Sequence, residues 1–246
     1  MAGKIKVTVW NEFRHEKSEE SIRAIYPDGL HAVIASTLSK DAELEVRLAA
    51  LDDPDQGLPP EVLNNTDVLI WWGHMAHARV PDEIVDRVQQ HVLAGMGMVF
   101  LHSGHHSKIF RRLMGTTGNL KWRENAKERI WTTCPNHPIT KGIPETFTLD
   151  AEEVYGEPFG IPEPQETIFI SWFDGGEVFR SGCTWTRGNG RIFYFQPGHE
   201  TNPTFHNPYV QQIIKNGVHW VCPVEKNLPL TCPRVTALEP ISSPCK

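Results

Sequence analysis

The sequence lacks the features of several protein classes. It has no dense cluster of basic residues, and 24 Lys and Arg against 30 Asp and Glu give a formal net charge of −6. This balance argues against a nucleic-acid partner. No stretch is apolar enough to span a bilayer, and the first ten residues contain neither the apolar core nor the cleavage site of a signal peptide. We therefore expect a cytoplasmic protein with no membrane partner.

Cysteine is also scarce. The five cysteines are an odd number, and their spacing is not the paired spacing of a zinc knuckle. They are Cys134, Cys183, Cys222, Cys232 and Cys245. The pattern predicts free thiols.

The first hundred residues alternate between apolar runs and helical spacing. The predicted strands are Ile5–Trp10, Leu44–Leu48, Val68–Trp72 and Met98–Leu101, and the predicted helices are Leu30–Leu38 and Val80–Ala94. Strands separated by helices are typical of a parallel sheet that is covered on both faces through right-handed crossovers. The predicted fold class is therefore α/β, with a doubly wound, mostly parallel sheet.

The second half of the chain is organised differently. Residues 115–165 are rich in Pro, Gly, Trp and charge, which predicts an irregular insertion that shapes the site. Three later runs, Thr167–Trp172, Glu177–Trp185 and Arg191–Phe195, predict strands that add antiparallel pairing at one edge of the sheet. Asn207–Val221 has the apolar spacing of a closing helix.

Length and composition indicate one main domain. A chain of 246 residues with 39% hydrophobic residues can bury a large core, and we place this domain at residues 1–222. Residues 223–246 contain five prolines and little periodicity, which predicts a Pro-rich tail. Because parallel-sheet domains with an aromatic-rich insertion commonly associate, we also expect a homo-oligomer.

Histidines gather directly after the predicted strands. Seven of the twelve lie there: His15, His74, His77, His102, His105, His106 and His199. In open parallel sheets, ligands bind beyond the carboxyl ends of the strands. Histidine also titrates close to neutral pH, which suits acid and base catalysis. The sequence therefore predicts a functional crevice at this edge.

Two further chemistries stay open at the same edge. Imidazole and carboxylate ligands together suit a divalent metal such as zinc or manganese, but the spacing selects no set. The candidate ligands are His74, His77, His102, His105 and His199, with Glu12 or Glu153 as a carboxylate. Ser103 lies where a hydrolase nucleophile would lie, although no glycine precedes it as a nucleophile elbow requires, and the first cysteine is Cys134.

Aromatic and charged residues alternate in the insertion. Trp122 is followed by Arg123 and Glu124, and Arg129 lies just before Trp131. An indole face can stack on a sugar ring, so this mixture fits the rim of a polar ligand site. A solvated surface segment explains the pattern equally well.

Several longer motifs point to a known family. They are Val9–Glu12, Leu69–His74 with His77, Trp122–Glu124, Glu152–Glu157, Gly175–Gly182 and Pro197–Glu200. These segments resemble the ThuA-like family of trehalose utilisation, and the match extends to about Trp220. The resemblance implies a flavodoxin-like fold similar to class I glutamine amidotransferases without their catalytic cysteine. It also implies sugar catabolism together with a dehydrogenase that oxidises disaccharides to 3-keto sugars.

The resemblance and the histidines lead to one main hypothesis, the acid–base isomerisation or cleavage of a keto sugar. We expect His105 and His199 to act as the catalytic pair, with Glu153 or Glu12 as the base or as the group that orients an imidazole. The candidate substrate contacts are Trp72, His74, His77, Trp122, Arg129 and Glu200. A non-catalytic sugar-binding or regulatory protein and a metal-dependent hydrolase are the alternatives.

Overall fold

Nine strands join in one sheet in the structure, a computed structural model that describes residues 3–240. The strands are β1 (Ile5–Asn11), β2 (Leu44–Ala50), β3 (Val68–Trp72), β4 (Gly97–Leu101), β5 (Lys121–Thr132), β6 (Thr146–Gly156), β7 (Glu166–Phe173), β8 (Val178–Arg187) and β9 (Gly190–Phe195). The α-helices of the described residues are α1 (His15–Ser18), α2 (Glu20–Ile25), α3 (Leu30–Leu38), α4 (Pro60–Asn64), α5 (Asp82–Leu93), α6 (Lys108–Met114) and α7 (Pro208–Val221).

The sheet has the order β2-β1-β3-β4-β9-β8-β7-β5-β6. The pairs from β2 to β9 are parallel, and the pairs from β9 to β6 are antiparallel. The chain leaves β1 toward β2 on one side and returns to β3 on the other, which is the strand reversal of a doubly wound fold. The predicted fold class and the antiparallel strands at one edge are confirmed.

Residues 115–165 contain more regular structure than the sequence predicts. They include β5 and β6, which pair antiparallel with register shifts near Ala126. Most side chains of β5 before Glu128 are exposed, so this strand shows none of the apolar alternation that marks a strand in a sequence. The two strands form the far edge of the sheet.

Hydrophobic cores lie on both faces of the parallel strands. In β3, Leu69 and Trp71 belong to the core beneath α5 and α6, whereas Ile70 and Trp72 belong to the core beneath α3 and α7. Successive side chains of a strand point to opposite faces, so a strand covered on both sides is apolar at every position. This explains the continuous apolar runs in the sequence.

The register of the sheet aligns four strand ends in a row. Asn11 pairs with Trp72, Trp72 pairs with Leu101, and Leu101 pairs with Phe195. These residues end β1, β3, β4 and β9, so the loops that follow them start side by side. The fold thereby brings together histidines that are far apart in sequence.

Helix caps fix where two of the covering helices begin. The Ser107 side chain accepts a hydrogen bond from the Phe110 N–H at the start of α6, and Gly115 ends this helix with a left-handed φ of 69°. The Asn207 side chain accepts from the N–H groups of Tyr209 and Val210 at the start of α7. A side-chain cap of this kind stabilises a helix by about 0.5–2 kcal/mol.

The described part of the Pro-rich tail, residues 223–240, forms no helix or strand. Its beginning lies against its own domain, because the Leu228 N–H donates to the Ala94 carbonyl and Lys226 Nζ lies 2.6 Å from an Asp67 carboxylate oxygen. Further along, Leu238 is fully exposed. Within residues 3–240, no helix combines the length and the apolar character needed to cross a membrane.

Candidate active site

Three histidines and one glutamate converge at the aligned strand ends. His74 follows β3, His102 follows β4, His199 follows β9, and Glu153 lies on β6. One side-chain nitrogen or oxygen from each residue lies within 4.8 Å of the corresponding atoms of the other three. His102 and Glu153 are buried, and the other two are partly exposed. The predicted histidine crevice therefore has a compact centre.

His102 is the most enclosed member of this group. Its backbone has a left-handed φ of 50°, and its side chain is fully buried. Its Nδ1 donates to the Gln196 carbonyl over 2.9 Å, and its Nε2 lies 3.2 Å from Oε2 of Glu153. Its ring stacks on Tyr155 with centroids 5.2 Å apart. Burial alone would lower the pKa of His102, but the Glu153 carboxylate outweighs it and raises that pKa.

Glu153 and His199 face each other at the centre of the group. His199 Nε2 lies 4.0 Å from Oε1 of Glu153, and its Nδ1 lies 2.7 Å from Oγ1 of Thr201. Burial lowers the pKa of His199 to about 4. Burial would raise the pKa of Glu153, but the hydrogen bond with His102 lowers it below its usual value.

A second carboxylate adjoins the group. Oε1 of Glu200 lies 3.2 Å from Nδ1 of His74 and 3.4 Å from Nε2 of His15, and the two imidazole nitrogens are 3.0 Å apart. Burial opposes ionisation of Glu200, but the His74 hydrogen bond and the nearby imidazoles lower its pKa to about 2. His74 thus belongs to both clusters.

Glu152 supports the loop that carries His199. Its Oε1 accepts from the His199 N–H over 2.9 Å, and its Oε2 accepts from the Gly198 N–H over 3.0 Å and from the Thr204 hydroxyl over 2.6 Å. Glu152 is fully buried, so it meets no ligand directly. Its role is to position this loop.

Two residues that were predicted to act on the ligand, Glu12 and Trp72, are instead buried and form hydrogen bonds with the loops of the site. Glu12, expected as a catalytic group, is 1% exposed and accepts from the N–H groups of Met75 and Ala76, so its carboxylate is occupied by the loop after β3. Trp72, expected to hold a sugar ring, is also buried and donates its indole N–H to the Gly198 carbonyl. Its buried indole has no face open to a ligand, so it positions the loops on either side.

A cavity of about 280 Å³ opens beside the central group. It is lined by His74, Ser103, His105, His106, Leu120, Trp122, Glu124, Glu153, Tyr155 and His199. Its volume is close to the lower end of the range for small-molecule sites, about 300–1,000 Å³. Several predicted site residues therefore share one cavity.

Within this cavity, the hydrogen bonds of His105 and Ser103 suit them to different roles. Nδ1 of His105 donates to the Gly118 carbonyl over 2.7 Å, and burial lowers the pKa of His105 well below its usual value. The ring is therefore neutral and keeps a lone pair on Nε2. The Ser103 hydroxyl donates to the Gly73 carbonyl over 2.7 Å and has no imidazole partner in the described chain, which does not fit a nucleophile.

The remaining candidates lie around or outside this cavity. The Trp122 indole is 65% exposed at its rim. His77 does not line it and instead lies edge to face with His106 at 6.3 Å between ring centroids. Arg129 is exposed on β5, on the side opposite to the buried Glu128 and Ile130, and does not reach the central group.

Four lining residues had been given no individual role from the sequence: Tyr155, Glu124, His106 and Leu120. Two of them carried a usable signal. Tyr155 lies two residues after Glu153 on β6, so alternation places both side chains on one face. His106 belongs to the histidine run after β4. Glu124 lies in a strand that the sequence does not reveal.

A larger cleft of about 770 Å³ lies elsewhere, between α7 and the start of β2. It contains one histidine, His219, in an open group with Asp41 and Glu43. Surface acidic groups of this kind are common, and no buried polar cluster converges there. Side-chain chemistry therefore favours the smaller cavity as the active site.

Comparison with known proteins identifies the family. Residues 6–221 match the family model for ThuA, described as trehalose utilisation. The chain belongs to the ThuA family. A search of curated proteins finds none that matches the chain. The predicted family is thereby confirmed over most of the chain, from the second residue of β1 to the end of α7.

Solved structures agree with the ThuA fold. A protein described as ThuA-like from Parabacteroides merdae superposes with a TM-score of 0.70 at 15% identity, covering 92% of this chain and 93% of that one. A cytoplasmic protein from Salmonella typhimurium gives 0.63 at 10% identity, with 89% and 100% covered. A glutamine amidotransferase from Thermotoga maritima gives 0.55 at 8% identity, with 90% and 99% covered. These likenesses concern the fold alone.

Cysteine takes no part in the lining of the candidate cavity. His102 and Ser103 follow β4, and none of the residues that line the cavity is a cysteine. Among the described residues, Cys183 is buried, and burial raises the pKa of its thiol to about 12. A thiol with this pKa does not supply a thiolate at neutral pH.

Proposed function

We propose that this ThuA-family protein is a sugar-catabolising enzyme that moves a proton next to the carbonyl group of a keto sugar derived from trehalose or a related disaccharide. The family description supports the substrate class. The observation that carries the proposal is one cavity that brings the neutral imidazole of His105 together with His74, Glu153 and His199. A carbonyl acidifies the neighbouring C–H bond, so one base and one group that binds the oxygen can start the reaction.

His105 is the base in this scheme. The hydrogen bond to the Gly118 carbonyl fixes the ring and leaves Nε2 as the nitrogen with a lone pair. Within residues 3–240, Nε2 makes no hydrogen bond, so it is free to accept a proton from a bound sugar. Glu153 accepts a hydrogen bond from a sugar hydroxyl, and His199, whose Nδ1 accepts from the Thr201 N–H over 3.4 Å, presents Nε2–H to the carbonyl oxygen.

The chemical steps balance without an oxidant or reductant. A proton passes from the carbon beside the carbonyl to Nε2 of His105, and the C–H electron pair forms an enolate. If the proton returns to another carbon or another face, the sugar is isomerised. If the glycosidic oxygen lies on the next carbon, it leaves with its electron pair, takes the proton from His105, and the disaccharide is cleaved. A sugar dehydrogenase, which the family resemblance implies, would supply the ketone.

The rim of the cavity supports a sugar as the ligand. Trp122 presents an exposed indole face on which a pyranose ring can stack, and Glu124 offers a carboxylate for its hydroxyls. Both side chains belong to β5, on one edge of the cavity. Binding of the ring there directs its carbonyl toward the histidines.

The proposal is tested by incubating the protein with 3-keto-trehalose in deuterated water and following the sugar by NMR. We expect the C–H signal beside the carbonyl to disappear by exchange, together with new signals of an isomer or of cleavage products. His105→Asn should slow exchange by about 10²–10⁴-fold, the usual contribution of a general base. His91→Asn, on α5 outside the cavity, is the matched control and should leave the rate unchanged.

Other outcomes overturn the proposal. Shifts on binding without exchange or product would instead support the sugar-binding or regulatory alternative. Exchange that is equally fast in His105→Asn and in the unaltered protein would exclude His105 as the base.

A further inference from the structure

We infer that His74, His102, Glu153 and His199 bind one divalent transition-metal ion of the zinc or manganese class. The inference goes beyond the proposed function, because the site is defined by its ligands and does not require a sugar. Three imidazoles and one carboxylate are a donor set that both metals accept.

The spacing of the donor atoms suits a single ion. All four atoms lie within 4.8 Å of one another. Bonds of about 2.1 Å in a tetrahedron place neighbouring ligand atoms about 3.4 Å apart. Nε2 of His102 already lies 3.2 Å from Oε2 of Glu153, so small side-chain movements complete the polyhedron.

Each imidazole is oriented through the nitrogen that would not touch the ion. Nδ1 of His102 donates to the Gln196 carbonyl, and Nδ1 of His74 lies 3.2 Å from the Glu200 carboxylate. Nδ1 of His199 contacts the Thr201 hydroxyl. Metal-binding histidines are typically held in this way by carbonyls, carboxylates or hydroxyls. In all three rings, Nε2 is the nitrogen left for the centre of the group. In His199 the Thr201 N–H also donates to Nδ1 over 3.4 Å, so a metal would bind Nε2 with the ring hydrogen moved to Nδ1, from which it donates to the Thr201 hydroxyl.

The centre of this group contains one close ion pair, His102 with Glu153, and one long hydrogen bond, 3.4 Å between Nε2 of His102 and the Tyr155 hydroxyl. Carbonyl and carboxylate oxygens only accept, so Nδ1 of His102 and of His74 carries a hydrogen. Glu153 adds only lone pairs. One proton can join His102 to Glu153, but it cannot serve the other two imidazoles. A cation satisfies all four groups at once.

The surrounding charge also favours a cation. Glu152, Glu153 and Glu200 are all buried around the strand ends, and Oε2 of Glu200 has no hydrogen-bond partner among the described residues. Buried carboxylates are stable only when they are paired or coordinate a metal. Glu200 adjoins His74, and its Oε1 also lies 3.7 Å from Nε2 of His199, so it adds negative charge directly beside the proposed ligands.

The ion would face the cavity, because His74, Glu153 and His199 line it. A ligand with neighbouring carbonyl and hydroxyl oxygens could therefore complete the coordination. Only this last role, the polarisation of a sugar carbonyl, rests on the proposed function.

The experiment measures metal binding directly. Protein stripped with a chelator is titrated calorimetrically with Zn²⁺ and with Mn²⁺, and Co²⁺ is added as an optical probe of nitrogen coordination. We expect one ion per chain and Co²⁺ absorption bands typical of imidazole ligands. His74→Ala and Glu153→Gln should each weaken binding by about a hundredfold or more, since loss of a merely supporting group already costs about 10–100-fold.

His219→Ala is the matched control, because His219 belongs to the open group with Asp41 and Glu43 in the other cleft. It should leave the affinity unchanged, and circular dichroism establishes that each variant is folded. His199 is partly exposed. If His74→Ala or Glu153→Gln fails to fold, His199→Ala takes its place in the titration.

Two results overturn the inference: no stoichiometric binding by the unaltered protein, or binding that is unchanged in His74→Ala and Glu153→Gln. Turnover of 3-keto-trehalose is measured on the same samples. Stoichiometric metal binding without turnover would contradict only the proposed function. Turnover by a protein that binds no metal would contradict only the metal site.

Discussion

The backbone N–H of His199 donates a 2.9 Å hydrogen bond to Oε1 of Glu152. The same carboxylate also accepts from Gly198 and Thr204, so a fully buried acceptor holds the loop after β9 at three points. Burial raises the pKa of Glu152 above its usual value, and the hydrogen bonds from Thr204 and His199 offset this only in part. The position of His199 therefore depends on a residue that touches no ligand.

Glu152→Gln tests this dependence. The amide group of Gln would direct hydrogens at the N–H groups that Glu152 now accepts from, leaving buried donors unsatisfied. We expect the free energy of unfolding to fall by about 1–3 kcal/mol in urea denaturation. Glu145→Gln, an exposed Glu before β6, is the control and should change it by less than about 0.5 kcal/mol. Equal losses in the two variants would contradict the assigned role.

Ser103→Ala separates a structural serine from a nucleophile. The Ser103 hydroxyl donates to the Gly73 carbonyl, so its removal should cost about 1–3 kcal/mol of stability by leaving a buried acceptor unpaired. Turnover of the keto sugar should persist. Loss of a nucleophile would instead lower kcat by about 10⁶. Ser181→Ala is the control, because its buried hydroxyl has no partner within residues 3–240 and should cost less.

The sequence predicts the parts of the site that lie directly at strand ends. His74, His102 and His199 follow strands whose last residues form one row in the sheet, so their convergence follows from the doubly wound order. Glu12 occupies the same kind of position but turns its carboxylate to backbone N–H groups. Residue type and spacing cannot distinguish these two outcomes, because both depend on where a neighbouring loop presents its N–H groups.

The contribution of β6 could not be derived from strand order. β6 is four strands away from β9 in the sheet, yet the Gln196 side chain donates to the Glu153 carbonyl and the Gly198 N–H donates to Glu152. The sheet must therefore curl to bring β6 back to the strand ends. Sequence motifs made Glu153 a candidate site residue. The curvature of the sheet that brings it to the strand ends leaves no local sequence pattern, so its position could not be predicted.

His77 should make stability depend on pH. Burial lowers its pKa to about 4 in the folded protein, whereas a histidine in the unfolded chain titrates near 6.5. As the pH falls, the unfolded chain binds the proton first, so stability is fully present above about pH 6.5 and is lost as the pH falls toward 4. His77→Gln removes this proton uptake, and the variant should lose less stability on acidification.

Urea denaturation of both proteins at about pH 7.5 and about pH 4.5 measures the effect. Other buried histidines, such as His105, are common to both proteins, so their contributions cancel in the difference. We expect the stability of the unaltered protein relative to His77→Gln to decrease at the lower pH. A difference that stays constant with pH would contradict the lowered pKa.

Trp122→Ala tests whether the rim of the cavity contacts the sugar. The Trp122 indole is 65% exposed, so its removal should change stability by no more than about 0.5 kcal/mol. Loss of a ring that stacks on the sugar should raise KM about threefold to tenfold, in line with the 0.5–1.5 kcal/mol of an aromatic stacking contact. Trp131→Ala is the matched control, since Trp131 lies on the same strand, is 40% exposed and does not line the cavity. Because both variants remove an exposed indole from β5, a rise in KM confined to Trp122→Ala can only come from the rim, whereas equal KM values would place the sugar elsewhere.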